Sequence, residues 1–138
     1  MIQPLHKILV IDDDHTCRFI TEFLLNDFGV TREVRSLENA VEGIKHFRFH
    51  ENDLPDLVLL DINMPMMDAW EFLDWVNENG FAGRTRFVIY STLVRPKDVD
   101  RSKAYPDVIG FIEKPPSKEE LERIIQMLEP RTPRRIAI

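Results

Sequence analysis

Cysteine is almost missing from this chain: Cys17 stands alone among 138 residues, which excludes an internal disulfide and a cysteine-based zinc cluster. A single unpaired thiol suits a reducing cytoplasm, and that is the expected localisation. Long hydrophobic runs are also lacking. None approaches the roughly 20 apolar residues that span a bilayer, and Met1 to Lys7 carries no apolar stretch, so neither export nor membrane insertion is signalled. Positive charge is in short supply. With 18 Lys and Arg against 24 Asp and Glu the net charge is -6, the wrong sign for gripping a phosphate backbone, so a protein or a small anionic partner is expected rather than nucleic acid. Internal repeats and low-complexity stretches are missing as well. What remains is 43% hydrophobic and 30% charged, the balance of an ordinary globular domain. The expected organisation is one domain over residues 1–129 and a short basic tail over 130–138. That tail, with Arg131, Arg134 and Arg135, is too short for an output domain.

Four short apolar runs stand out, beginning at Ile8, Leu57, Phe87 and Val108. They do not alternate with polar residues, so both of their faces must be covered, as in a parallel sheet. A fifth candidate, Arg32 to Arg35, alternates around Val34 and reads as a half-solvated edge strand. Helical spacing fills the gaps. Phe19, Ile20, Phe23 and Leu24 predict the inward face of a helix from about Thr16 to Asp27 that Gly29 ends. A second helix is predicted over about Leu37 to Phe49, a third from the N-cap Asp68 to Gly80, and a fourth, short and weakly apolar, over about Pro96 to Ala104. The last opens with a capping box, Ser117-Lys-Glu-Glu120, and runs to Pro130. Strand then helix, five times over, predicts an α/β doubly wound parallel sheet with helices on both faces. The flavodoxin-like strand order 2-1-3-4-5 makes the first and third strands neighbours at a switch point, where ligands bind beyond the strand ends.

The chemistry-bearing residues gather at those ends. Asp12, Asp13 and Asp14 end the first strand, Asp61 the third, Ser91 and Thr92 the fourth, and Lys114-Pro115 follows the fifth. Any one such Asp is ordinarily a turn former or a helix cap, and Asp14 fits that role. All of them together in one crevice demand a cation. Magnesium, which takes carboxylate and phosphate oxygens while keeping several waters, is the expected cofactor, with manganese as a substitute. Asp12 and Asp13 form the metal side, Asp61 is the carboxylate placed to attack phosphorus, Lys114 neutralises the transferred charge, and the Ser91 hydroxyl donates to it.

These positions resemble the receiver domains of bacterial two-component systems, chemotaxis regulators among them, over about His6 to Leu128. The resemblance rests on Ile8 to Asp14, Leu59 to Pro65 with Met67-Asp68, Tyr90-Ser-Thr92 and Gly110 to Pro115. It implies that Asp61 accepts a phosphoryl group from a histidine kinase or a histidine phosphotransfer protein. Asp12, Asp13, Asp61 and the Asn63 backbone carbonyl would hold magnesium, and Ser91, Thr92 and Lys114 would meet the phosphoryl group. Ser91 and Phe111 would form a switch pair that remodels the face of the fourth helix, fifth strand and fifth helix, and the Lys114-Pro115 bond would be cis. A stand-alone switch is implied, acting by partner docking or phosphorelay and catalysing only its own phosphorylation and slow dephosphorylation. The same face offers a route to dimerisation. Two departures from the family pattern stand out. Ala69 replaces the usual Gly, and Thr92 with Leu93 puts bulk near the path of hydrolytic water, which implies a longer-lived phosphoryl group.

Two other classes are weighed. A phosphohydrolase of the haloacid dehalogenase kind needs a second Asp two residues after its nucleophile, where this chain has Asn63. A flavodoxin-like flavin carrier needs a Ser/Thr/Gly-rich phosphate loop where Asp12 to Asp14 would repel the phosphate. Elsewhere, His6, His46 and His50 have no evident partners, Cys17 reads as a small hydrophobe, and Trp70 and Trp75 read as packing residues.

Overall fold

The computed structural model describes residues 4–128; the basic tail lies outside them. Strand β1 spans Leu5–Ile11, β2 Thr31–Leu37, β3 Leu57–Leu60, β4 Arg86–Ser91 and β5 Val108–Glu113. They form one parallel sheet in the order β2-β1-β3-β4-β5, as expected, with the alternating strand at an edge. The intervening helices are α1 (His15–Phe28), α2 (Ala40–Phe49), α3 (Ala69–Glu78), α4 (Pro96–Ser102) and α5 (Lys118–Leu128). No helix among the described residues is long and apolar enough to cross a membrane.

Local sequence fixes the helix ends. Gly29 closes α1 in the left-handed conformation, which glycine adopts without steric cost. The Asp68 side chain accepts from the Glu71 N–H while Glu71 returns a bond to the Asp68 N–H, a complete capping box. Ser117 and Glu120 make the same exchange before α5. Helix α2 begins three residues later than expected because the Asn39 side chain caps it, leaving Leu37 to β2. Ala69 sits as the first residue of α3, where a Cβ is no burden; the positive φ of that loop falls on Met66 instead.

Each face of the sheet carries its own core. Leu9, Ile11, Val58, Leu60, Phe87 and Ile89 pack under Phe47 of α2 and Trp70, Phe72 and Val76 of α3. Ile8, Val10, Leu59, Val88 and Tyr90 pack under Leu25 of α1 and Leu121, Ile124 and Ile125 of α5. Helix α4 is short and buries only Asp98 and Ser102, so little apolar area holds it in place.

The inward face expected for α1 is wrong. Phe19, Ile20 and Phe23 are exposed at 69%, 44% and 62%, and the residues the helix buries are Thr21 and Leu25. The apolar stripe misleads because the buried turn of α1 spends one position on the polar Thr21, which has a hydrogen-bond partner inside. The histidines also correct the sequence reading. His6 Nε2 lies 3.0 Å from Asp53, and His46, stacked on His50, faces Lys7 Nζ at 3.4 Å. Lys7 is 1% exposed, so its ammonium donates to His46 Nε2 and requires that ring to stay neutral.

Two outcomes follow from this packing. Phe19→Ser and Phe23→Ser should leave stability within about 0.5 kcal/mol of the parent, whereas Leu25→Ala should cost about 2–5 kcal/mol in urea unfolding. Burial, aided by the charges of Lys7, His50 and Arg35 and opposed by Asp53, holds His46 down at about 4 from 6.5. The unfolded chain therefore binds a proton that the folded one refuses, and stability falls as pH drops from about 6.5 towards about 4. At about pH 5 the loss from this group is about 2 kcal/mol, and His46→Gln, which accepts from Lys7 without titrating, should flatten that limb of the stability curve.

Candidate functional site

Strand register builds the site. Ile11 pairs with Leu60, so Asp12 and Asp61 leave adjacent strands side by side, the Asp61 N–H donating to the Ile11 carbonyl at 3.0 Å. Ser91 pairs with Glu113 across the other join, and the Lys114 N–H donates to the Ser91 carbonyl at 2.9 Å. Four loops thus open at one rim of the sheet. The Lys114-Pro115 peptide is cis.

The side chains converge there. Asp12, Asp13 and Asp61 offer carboxylate oxygens within 4.8 Å of one another, a spacing one cation can bridge. Asp12 is fully buried and both its oxygens are engaged: Oδ1 accepts from the Asp14 N–H at 2.9 Å and Oδ2 from Lys114 Nζ at 2.7 Å. The Arg18 guanidinium donates to the Asp12 carbonyl at 2.7 Å, fixing the loop. Asp13 is exposed, and Asp14 caps α1 by accepting from the Cys17 N–H. Lys114 also reaches Asp61 Oδ2, but at 3.5 Å.

One lysine therefore serves two buried carboxylates, and the distances show how it is shared. Burial pushes Asp61 up to about 7; the Lys114 charge and the Asn63 N–H oppose this, and the Asp12 charge adds to it. Burial works against the charge on Lys114, yet the hydrogen bond to Asp12 and the charges of Asp61 and Asp12 lift it above the ordinary lysine value. The two directions agree once Lys114–Asp12 is taken as the ion pair. Asp61 is then the surplus carboxylate, short of one positive charge. A divalent cation at the three-carboxylate cluster supplies that charge, so the donor set fits an oxygen-loving ion such as magnesium.

Ser91 is buried, and its hydroxyl is held by its own loop, donating to the Leu93 carbonyl at 3.2 Å and accepting from the Leu93 N–H at 3.4 Å. Thr92 is exposed beside it, and Phe111 is half-buried against the α2/α3 core. A cavity of about 450 Å³ opens next to the site, lined by Asn63, Trp70, Ser91, Thr92, Leu93 and Arg95 among others. Trp70 is in the core with Tyr105 against it and Arg101 over its ring, as a packing residue should be. Sequence reasoning missed Tyr90, whose ring lies 5.1 Å from Lys114 Nζ. Its position before Ser91 was the available signal, hidden because an aromatic in a buried strand reads as core. Cys17 lies half-buried, and burial pushes its thiol up, with the Lys114 charge opposing and the Asp12 charge adding to the shift.

Comparison with known proteins places this arrangement. Residues 8–126 match the model of the response regulator receiver domain. The response regulator Rre1 of Synechocystis is 32% identical over 133 residues, covering 93% of this chain and 53% of Rre1, so the chain spans about half the length of that relative. A response regulator receiver protein from Dyadobacter fermentans superposes with a TM-score of 0.78 at 27% identity, covering 88% of this chain and 96% of that one. A two-component response regulator from Cytophaga hutchinsonii shares the fold, with a TM-score of 0.83 at 20% identity over 91% of this chain and 99% of its own. With the parallel 2-1-3-4-5 sheet and the acidic rim already in place, the family match over nearly the whole described chain means that it belongs to the response regulator receiver domains of two-component signalling.

Proposed function

We propose that Asp61 accepts a phosphoryl group from the phosphohistidine of a histidine kinase or histidine phosphotransfer protein, and that the modified domain docks to a partner or passes the group on. The reading rests on one observation: three carboxylates gather within 4.8 Å while Lys114 stands 3.5 Å from Asp61. Asp12, Asp13 and Asp61, with the Asn63 backbone carbonyl, would hold magnesium, whose charge would offset that of the incoming phosphoryl oxygens and of the crowded carboxylates.

Asp61 attacks phosphorus through a carboxylate oxygen as the phosphorus–nitrogen bond breaks, and the bonding electrons stay with the departing imidazole. Lys114, anchored on Asp12, offers its remaining donors to the new phosphoryl oxygens. Ser91 is poised for a swap: its present bonds to Leu93 are long, and a phosphoryl oxygen is the stronger acceptor. Thr92 follows Ser91, and the half-buried Phe111 turns inward behind them. The face of α4, β5 and α5 changes as a result. The thin anchorage of α4 makes it the element readiest to shift, and that face also provides the route to dimerisation. Leu93, 55% exposed on the cavity, shields the acyl phosphate from water and prolongs its life.

Incubation with magnesium and acetyl phosphate should add a phosphate-sized mass to the parent and none to Asp61→Asn. A gain in both or in neither removes Asp61 from its role. The surplus carboxylate generates a second outcome. Asp61 is raised from 3.8 to about 7, so the folded state holds a proton there that the unfolded state has lost. That contribution to stability is full below about pH 4 and is lost as pH rises through about 7. In chelator at about pH 8, Asp61→Asn should therefore melt several degrees above the parent, and added magnesium should narrow the gap by stabilising the parent alone.

A further inference from the structure

The reactive lysine rests on an aromatic floor that no part of the phosphoryl-transfer reading requires. Tyr90, next to last in β4, is fully buried on the α1/α5 side of the sheet among Ile112, Leu121 and Ile125. Lys114 Nζ stands 5.1 Å from its ring centroid. The Tyr90 hydroxyl is hydrogen-bonded to Thr21 Oγ1 of α1, and Thr21 is likewise fully buried. The ring is therefore held at both ends, by the strand backbone at one and by α1, in the layer that covers this side of the sheet, at the other.

A lysine has four flexible side-chain torsions and, left to the nearest carboxylate, settles on it alone. Asp12 already holds Nζ at 2.7 Å, while the acceptor Asp61 is at 3.5 Å. The negative face of an aromatic ring attracts an ammonium and adds a third fixed point. We propose that Tyr90 is a positioning residue: its ring, tethered through Thr21, sets where the Lys114 ammonium stands, so that it faces Asp61 as well as Asp12. This rests on Asp61 being the phosphoryl acceptor and adds the device that aims its cation. A filler role would need only the volume of Tyr90; the geometry uses its π-face and its hydroxyl.

The test varies ring electronics at constant shape. Full-length protein would carry phenylalanine, then mono-, di- and trifluorinated phenylalanine, at position 90, and each would be phosphorylated by acetyl phosphate in magnesium. Tyr90→Phe, which keeps the ring face but loses the bond to Thr21, should lower the rate part-way. Successive fluorines should then lower it stepwise, by about two- to tenfold in all, because they drain the ring face without changing packing. In NMR spectra of the parent the Lys114 ε-methylene protons should be shifted upfield by the ring current. The shift should weaken alike in Thr21→Val and in Tyr90→Phe with its fluorinated forms, all of which untie the ring from Thr21, and vanish in Tyr90→Leu. A flat rate across the fluorinated series, or Lys114 protons at ordinary lysine shifts in the parent, overturns the proposal. Failure of the parent to take up phosphate condemns Asp61 as acceptor instead, and the ring-current shift then decides the placement of Lys114 alone.

Discussion

A single ammonium between two buried carboxylates is the constraint around which this molecule is arranged. Lys114 can neutralise Asp12 or Asp61 but not both, and it lies closer to Asp12. Bringing carboxylates into a low-dielectric rim is costly unless each finds a compensating charge. That shortfall of positive charge is what would suit the site to a divalent cation. The fold maintains the shortfall through backbone geometry. Parallel register places Asp12 beside Asp61 and hangs the Lys114 backbone from Ser91, so the backbone segments that carry these charges cannot part without breaking the sheet.

The two layers of helices contribute unequally to this arrangement. On one side α2 and α3 bury a dense aromatic core that includes Phe47, Phe72 and Trp70. Gly43 lets α2 come so close that an added Cβ would stand 2.8 Å from Ile11 Cδ1. On the other side α1 gives part of its inward face to Thr21 and so reaches the tyrosine beneath the lysine, leaving Phe19 and Phe23 to solvent. Helix α4, which follows the Ser91 loop, contributes almost no apolar burial, the buried residues on it being Asp98 and Ser102. Rigidity under the charges and looseness beside them would suit the switch proposed for this domain.

Legibility from sequence followed how local the cause was. Asp68 with Glu71 and Ser117 with Glu120 announced helix starts because caps act over three residues. The apolar runs announced buried parallel strands because burial on both faces removes alternation. Helix α1 defeated periodicity, since its exposed Phe19 and Phe23 outnumber the apolar residues it buries and the inward Thr21 satisfies its hydroxyl against a residue 69 positions away. Lys7 with His46 was invisible for the same reason: a buried lysine is tolerable only with partners, and those partners come from other elements.

Sequence alone determined which functional groups stand at the strand ends, and the alternation of strand and helix left few topologies that could bring Asp12, Asp61, Ser91 and Lys114 to one rim. Only the tertiary structure decided how charge is apportioned among them. Which carboxylate holds Lys114, which is left in surplus, and what lies beneath the ammonium depend on differences of less than an ångström between side chains over 100 positions apart, as Lys114 and Asp12 are. Electrostatic energy is steep over such distances in a buried site, and no pattern along the chain encodes it.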